Sequence, residues 1–467
     1  MTGGPARDIV ADEIAARAAE RAGPDSFALV TLERSLMLRF AAGRPTQSTA
    51  IDDVTVEIAV PFHGHVGRAS TNAVDDAALA ECAERAKLAA RAAAASGNGD
   101  FPGFGEPDDL VVARDTFDPA TAELDPASGA AGLEEAFSVA AEHGVEAHGI
   151  WTVAEQEQGW ALGDDYPGGK DAEAERRTDA FMKVICIAPS GRSGYAASSS
   201  VTAADLDAGA LAEQAARKAT AAGEPAELPP GEYPVVFEAP AVGWLCDLLA
   251  GCAFNGLAHA EGRGALDGKI GDAVAAPAIN LADSPAHPRT LPRAFDAEGT
   301  RKWPLPLIQD GVAHGVAYDI RSAALAGDGA VTTGHALAPG GDAAGPHPTN
   351  LVLAGGGAAD EAELCAPIER GVYVTRLWYA NVVRPKETLI TAVTRDGTFL
   401  IEDGRITRPL RDLRLTDSVL SILARTTALS RDQTLMSDGE FYGRRFAYGV
   451  VCPALRADAV RFTGAAG

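Results

Sequence analysis

The strongest constraint on the fold lies in the second half of the chain. From Tyr233 onward, short strand-like runs recur, divided by Gly, Pro and Asp. They cover residues 234–237, 278–281, 305–309, 312–319, 350–353, 371–379, 389–395, 397–401, 405–410 and 453–462. Strands this numerous and this closely spaced predict a large, mainly antiparallel sheet or a partly closed barrel. Two helices interrupt the series, a strongly apolar one over 241–255 and another over 417–428.

The first half has a different texture. Ile9, Val10, Ile14 and Ala18 repeat at helical spacing before Gly23-Pro24 stops the helix. Strands follow over 27–33, 36–40 and 54–62, a turn at Gly64-His65-Val66-Gly67 feeds 68–71, and a helix covers 75–95 with Leu79, Cys82, Ala86 and Ala89 on one face. After a Gly/Pro-rich linker (96–107), a second unit has helices at 133–143 and 205–221, strands at 146–153 and 177–187, and a loop at 163–170. A second linker, 222–231, leads into the strand-rich half. The expected class is therefore α+β: an N-terminal α/β two-layer unit (1–95), a middle α/β unit (108–222) and a large C-terminal β-rich domain (232–467).

Composition limits function mainly by exclusion. A 46% hydrophobic, 22% charged chain of 467 residues is that of an ordinary globular protein. A net charge of −25 repels phosphate backbones and anionic headgroups, so no direct nucleic-acid or membrane partner is expected. The N-terminal stretch lacks a basic region followed by an apolar one, and no long apolar run occurs elsewhere. The six cysteines (Cys82, Cys186, Cys246, Cys252, Cys365 and Cys452) show no CxxC spacing and read as small buried hydrophobes in a reducing compartment. A cytoplasmic location is expected.

Short motifs are weak. Gly355-Gly356-Gly357 follows a strand but lacks the Lys-Ser/Thr of a phosphate loop, so a turn is the better reading. Pro189-Ser190-Gly191-Arg192-Ser193-Gly194 does not keep nucleophile-elbow spacing. His63-Gly64-His65 offers two imidazoles, yet a turn accounts for the pair. His259 and Glu261 make an H-x-E without a downstream PCxxC. No HExxH or HExxxH occurs among the nine histidines.

Longer segments carry more information. Gly64-His65-Val66-Gly67-Arg68-Ala69-Ser70-Thr71-Asn72, with the helix after it, resembles the N-terminal domain of the TldD/PmbA (TldE) family. The stretches 231–238, 262–272, 295–299, 307–312, 368–376, 399–406 and 453–456 are similar, in order, to that family's C-terminal segments. Gly262-Arg263-Gly264-Ala265-Leu266-Asp267-Gly268-Lys269-Ile270-Gly271-Asp272 and Ile368-Glu369-Arg370-Gly371-Val372-Tyr373-Val374-Thr375-Arg376 are the clearest. One departure is Leu162–Gly169, which stands where the family carries an N-S-x-G turn.

In the catalytic TldD type, an HExxxH helix lies a fixed distance before the G-K-x-G segment, and a later cysteine completes a zinc site. An ungapped count from Gly268 places Asp247 and Cys252 at the two histidines and Leu248 at the glutamate. Leucine cannot deprotonate a metal-bound water. Cys452, directly before Pro453, falls in a strand rather than in the glycine-rich turn of a zinc cysteine. The resemblance therefore implies a metallopeptidase-related chain of the TldE/PmbA type, with no catalytic residues, metal or cofactor of its own. It further implies a TldD-type zinc-bearing partner and small or unfolded peptides as substrate. The family's older association with DNA gyrase fits poorly with the acidic surface. The alternatives are an independent enzyme with Asp247, Cys252, His259 and Glu261 around a metal, or a homodimer that binds a peptide or small molecule.

Overall fold

The computed structural model describes residues 10–105, 116–163, 172–291, 293–327, 329–437 and 445–465. Its first layer is a six-stranded sheet of β1 (Phe27–Ala41), β2 (Arg44–Phe62), β3 (His65–Thr71), β4 (Glu146–Leu162), β5 (Ala172–Ile187) and β6 (Ser193–Ser200). The order is β3-β2-β1-β4-β5-β6, and every neighbouring pair is antiparallel. β1 pairs with β4 from Phe27–Leu162 to Phe40–Gly149. Strands from the first two sequence segments thus share one continuous sheet.

β1 also runs unbroken where a break between 33 and 36 was expected. The polar Arg34 faces Asp52 on one side and Glu155 on the other, and its guanidinium meets Glu155 at 2.7 Å. A charge with such neighbours interrupts the hydrophobic alternation without interrupting the strand.

Helices Ala11–Ala22, Asp76–Ala94, Pro126–Glu142 and Ala208–Ala219 cover one face of this sheet. Asp75, Asp125 and Asp207 cap the last three by accepting backbone N–H bonds. The packing stripes are mostly alanine, which lets helix and sheet approach closely. At Gly67 a Cβ would lie 2.1 Å from the Ala90 nitrogen, so only glycine admits the helix there.

The second layer is an eleven-stranded mixed sheet. Strand β7 (Gly231–Phe237) pairs with both Arg370–Arg384 and Gly449–Ala465. With Leu389–Glu402 and Leu413–Ser418 between them, these strands close a ring, the partly closed barrel anticipated from strand spacing. Helix Ala239–Cys252 packs on this ring, and the main core clusters Leu245, Leu249, Phe237, Leu377 and Leu455.

The helix expected over 417–428 shortens to Val419–Ala424, because strands Leu413–Ser418 and Thr426–Met436 take its ends. The run 312–319 keeps only Val312–Ala313 as strand. Residues 164–170 of the expected loop lie outside the described residues. Among the described residues, no helix is long and apolar enough to cross a membrane.

Candidate functional site

Helix Ala239–Cys252 is almost wholly apolar, and its face toward the ring carries Ala241, Val242, Leu245, Cys246, Leu249 and Cys252, all buried. The half-exposed stripe holds Trp244, Asp247 and Leu248, spaced so that they share one side. Asp247 is the only charged side chain on the helix.

Asp247 opens into a cleft of ≈ 720 Å³ lined by Tyr195, Trp244, Arg376, Trp378, Met436 and Tyr448. Its Oδ1 lies 3.4 Å from Nε2 of His347 but makes no hydrogen bond among the described residues. Leu248 packs its hydrocarbon on the main core. Cys252 turns inward, with Sγ donating to the Leu248 carbonyl oxygen at 3.0 Å, and burial pushes its thiol up to about 11. Asp247 and Cys252 therefore point to different surroundings.

The other candidates are equally dispersed. His259 sits on the short helix Gly256–Ala260, and its Nδ1 is buried without a hydrogen bond among the described residues. Glu261 is paired with Arg263 near the surface. Cys452 Sγ donates to the Ala239 carbonyl oxygen at 3.3 Å, and burial raises its thiol well above the usual range. No group of three or more His, Cys, Asp or Glu side chains among the described residues is placed to hold a metal.

The remaining sequence motifs resolve into turns and close contacts. His63 takes φ +50° in a turn, and His65 Nε2 is 2.9 Å from the Gly97 carbonyl oxygen. Ser193 begins β6 and donates its hydroxyl to Asp396. A Cβ on Gly355 or Gly356 would fall 2.5 Å from the Arg431 or Leu429 carbonyl oxygen, so these glycines let the segment after Asn350–Leu353 lie against strand Thr426–Met436.

A charged seam between the two layers escaped the sequence reading. The sheet contributes Glu33, Gln156, Gln158, Glu173, Glu175, Arg177 and Asp179; loops of the second layer contribute Arg293, Arg301 and Arg445. Arg445 Nε donates to Asp179 Oδ1 at 2.9 Å, and its backbone N–H reaches Glu33 at 2.9 Å. Nearby, buried Asp283 lies 3.3 Å from both Lys302 Nζ and His335 Nε2. Burial alone would raise the Asp283 carboxyl, but Lys302, His335 and the Asn350 N–H together hold it well below the carboxylate range. Glu298 shows the opposite balance: burial, then repulsion from Asp296 and Asp319, raise it well above the ordinary value. Burial likewise pushes Asp296 up to about 6.

These features define a class: a layered α+β protein with a ring-closed sheet, whose cleft helix offers one carboxylate and no metal-ligand set among the described residues. Residues 230–464 match the family described as the PmbA/TldA metallopeptidase C-terminal domain, and the chain belongs to the TldD/PmbA family.

The chain is 26% identical over 204 residues to a metalloprotease of Methanothermobacter thermautotrophicus, covering 44% of each chain. It is 26% identical over 270 residues to a TldD homologue of Haemophilus influenzae, covering 56% of this chain and 54% of the relative. The matched regions thus span about half the length of these relatives. In fold, it is similar to TldE from Thermococcus kodakarensis, with TM-score 0.82, 20% identity, and coverage of 97% and 99% of the two chains. It is also similar to a candidate DNA gyrase modulator from Thermotoga maritima, with TM-score 0.79, 20% identity, and coverage of 94% and 96%.

Proposed function

We propose that this chain is the zinc-less, non-catalytic subunit of a TldD/TldE-type peptidase pair acting on small or unfolded peptides. Leu248 carries the reading. At the position where the TldD-type motif has its glutamate, the side chain is hydrocarbon packed on the core. A metal-bound water there has no base beside it. Asp247 and Cys252, at the two ligand positions, face a cleft and the core respectively. The similarity in fold to TldE agrees with this assignment. In the pair, the ring-closed domain forms part of the wall around the partner's zinc.

The purified chain is expected to hydrolyse no peptide and to carry no stoichiometric zinc. Mixing it with a TldD-type chain from the same organism is expected to give a stable complex with peptidase activity. One zinc per isolated chain, or hydrolysis by the chain alone that is lost in Cys252→Ala and His259→Ala, would establish an independent enzyme instead.

A further inference from the structure

The geometry points to a subsite for a basic peptide side chain, lysine or arginine, in the aromatic cleft beside helix Ala239–Cys252. The inference takes from the proposed function only that the ligand is a peptide.

Charge complementarity carries it. Asp247 is the sole charged group on its helix, and its Oδ1 is buried yet makes no hydrogen bond among the described residues. A carboxylate oxygen with unused acceptor capacity in such a place is completed by an N–H donor bearing positive charge. The nearest cationic candidate within the fold, His347, lies at 3.4 Å, outside hydrogen-bonding geometry.

The walls suit the same ligand. Trp244 stands three residues before Asp247 on the same side of the helix, and Trp378, Tyr195 and Tyr448 complete an aromatic lining. Ring faces attract cations, and the hydrocarbon stem of lysine or arginine packs on such rings and on Met436. The cleft already shows this preference within the chain, since the Arg376 guanidinium lies 4.5 Å from the Tyr195 ring centroid and 4.9 Å from that of Trp378.

Two cations of the chain also line the cleft, and neither offsets the proposal. Arg376 is committed to Asp396, its Nε donating at 2.7 Å. Lys183 has interactions of its own. The net charge of −25 further draws cations toward the molecule.

The test uses the isolated full-length chain, so that failure to pair with a TldD-type subunit and failure of the cleft are separate results. Acetylated, amidated tripeptides Ala-Lys-Ala, Ala-Ala-Ala and Ala-Glu-Ala are titrated calorimetrically, with tryptophan fluorescence as a second readout. The lysine peptide is expected to bind at least about tenfold tighter than the alanine peptide, with the glutamate peptide weakest. Asp247→Asn should remove that preference, and Asp247→Lys should reverse it in favour of glutamate. Trp378→Ala, off the helix, should weaken lysine-peptide binding if either helix variant fails to fold. Equal affinities, no binding of any peptide, or an unchanged preference in the folded variants would overturn the proposal. So would lysine-peptide binding that needs added zinc and disappears on chelation, because Asp247 would then be a metal ligand.

Discussion

Trp160 tests whether the two layers form one cooperative body. It is fully buried at the end of β4 and stacks on Phe27, with centroids 6.0 Å apart. It also meets Phe295 of the second layer edge-on at 6.4 Å. Gly299 passes so close that a Cβ there would lie 2.9 Å from the indole. Trp160→Ala therefore opens a cavity exactly where sheet and loops meet, and large-to-small changes of this kind cost about 3–5 kcal/mol. An unfolding entropy of about 2 cal/mol/K per residue, taken over 467 residues, converts that cost to a fall of about 3–5 °C in a single cooperative transition. Trp160→Phe is the control. It keeps a ring against Phe27 and removes an indole N–H that has no hydrogen bond among the described residues, so its cost should stay within about 1.5 kcal/mol. Differential scanning calorimetry of the three proteins reads both numbers. A shift under about 1 °C for Trp160→Ala would refute the burial argument. Two resolved transitions, only one of them moved, would refute the single cooperative body.

Other expectations follow from the seam and the buried thiols. Arg445→Ala should cost about 3–5 kcal/mol by leaving Asp179 buried without its main cation, and Arg445→Met with Asp179→Leu should recover most of it in a denaturation series. Glu298 has its folded-state value raised, so its stabilising contribution is complete below about pH 4.3 and is lost as pH rises toward the folded value. Melting temperature should therefore decline as pH rises above the ordinary carboxyl range, and decline less in Glu298→Gln. Asp283, held low, acts in the opposite sense: its contribution is present at neutral pH and is lost in acid. Finally, all six cysteines are buried, and burial pushes Cys186 and Cys246 up to about 12, so a thiol reagent should label the native chain slowly and all six only after unfolding.

What the sequence disclosed, and what it hid, depends on where each residue finds its partners. The helices that cover the sheet were visible because alanine and leucine recur at helical spacing, although the one expected from 133 begins at Pro126, directly after its cap Asp125. β4 was half visible. Its expected end near 153 marks where Glu155, Gln156, Glu157 and Gln158 replace hydrophobes, yet the strand continues to Leu162. Each of those side chains is satisfied from far along the chain: Glu155 by Arg34 and Arg176, Gln156 by Arg177 and Arg445, and Gln158 by Arg177 and Arg293. Glu157 accepts the N–H groups of Val10 and Ala11, where the first helix begins. A local window sees four polar residues and reads a loop; the fold supplies the partners. β6, SGYAASSS, is poor in strand formers and exists because β5 offers it an edge. The seam was illegible for the same reason as the second half of β4, while Asp247 was reached only by counting back from the Gly268 segment.

That helix also shows how the fold keeps its packing separate from its cleft. Stability and chemistry occupy different stripes of its surface. Val242, Leu245, Cys246 and Leu249 hold it against the ring, and any change there is a change to the core. Trp244 and Asp247 line the cleft, where a substitution alters the cleft and leaves the core contacts intact, whereas half-buried Leu248 also packs on the main core. Cys252 belongs to the first stripe, its sulfur bonded to the helix backbone, so it serves packing whatever stands at 247. The ring closes through β7 and the last strand. A chain built this way keeps its core contacts when Trp244 or Asp247 is exchanged, so the lining of the cleft varies independently of the ring that holds the helix.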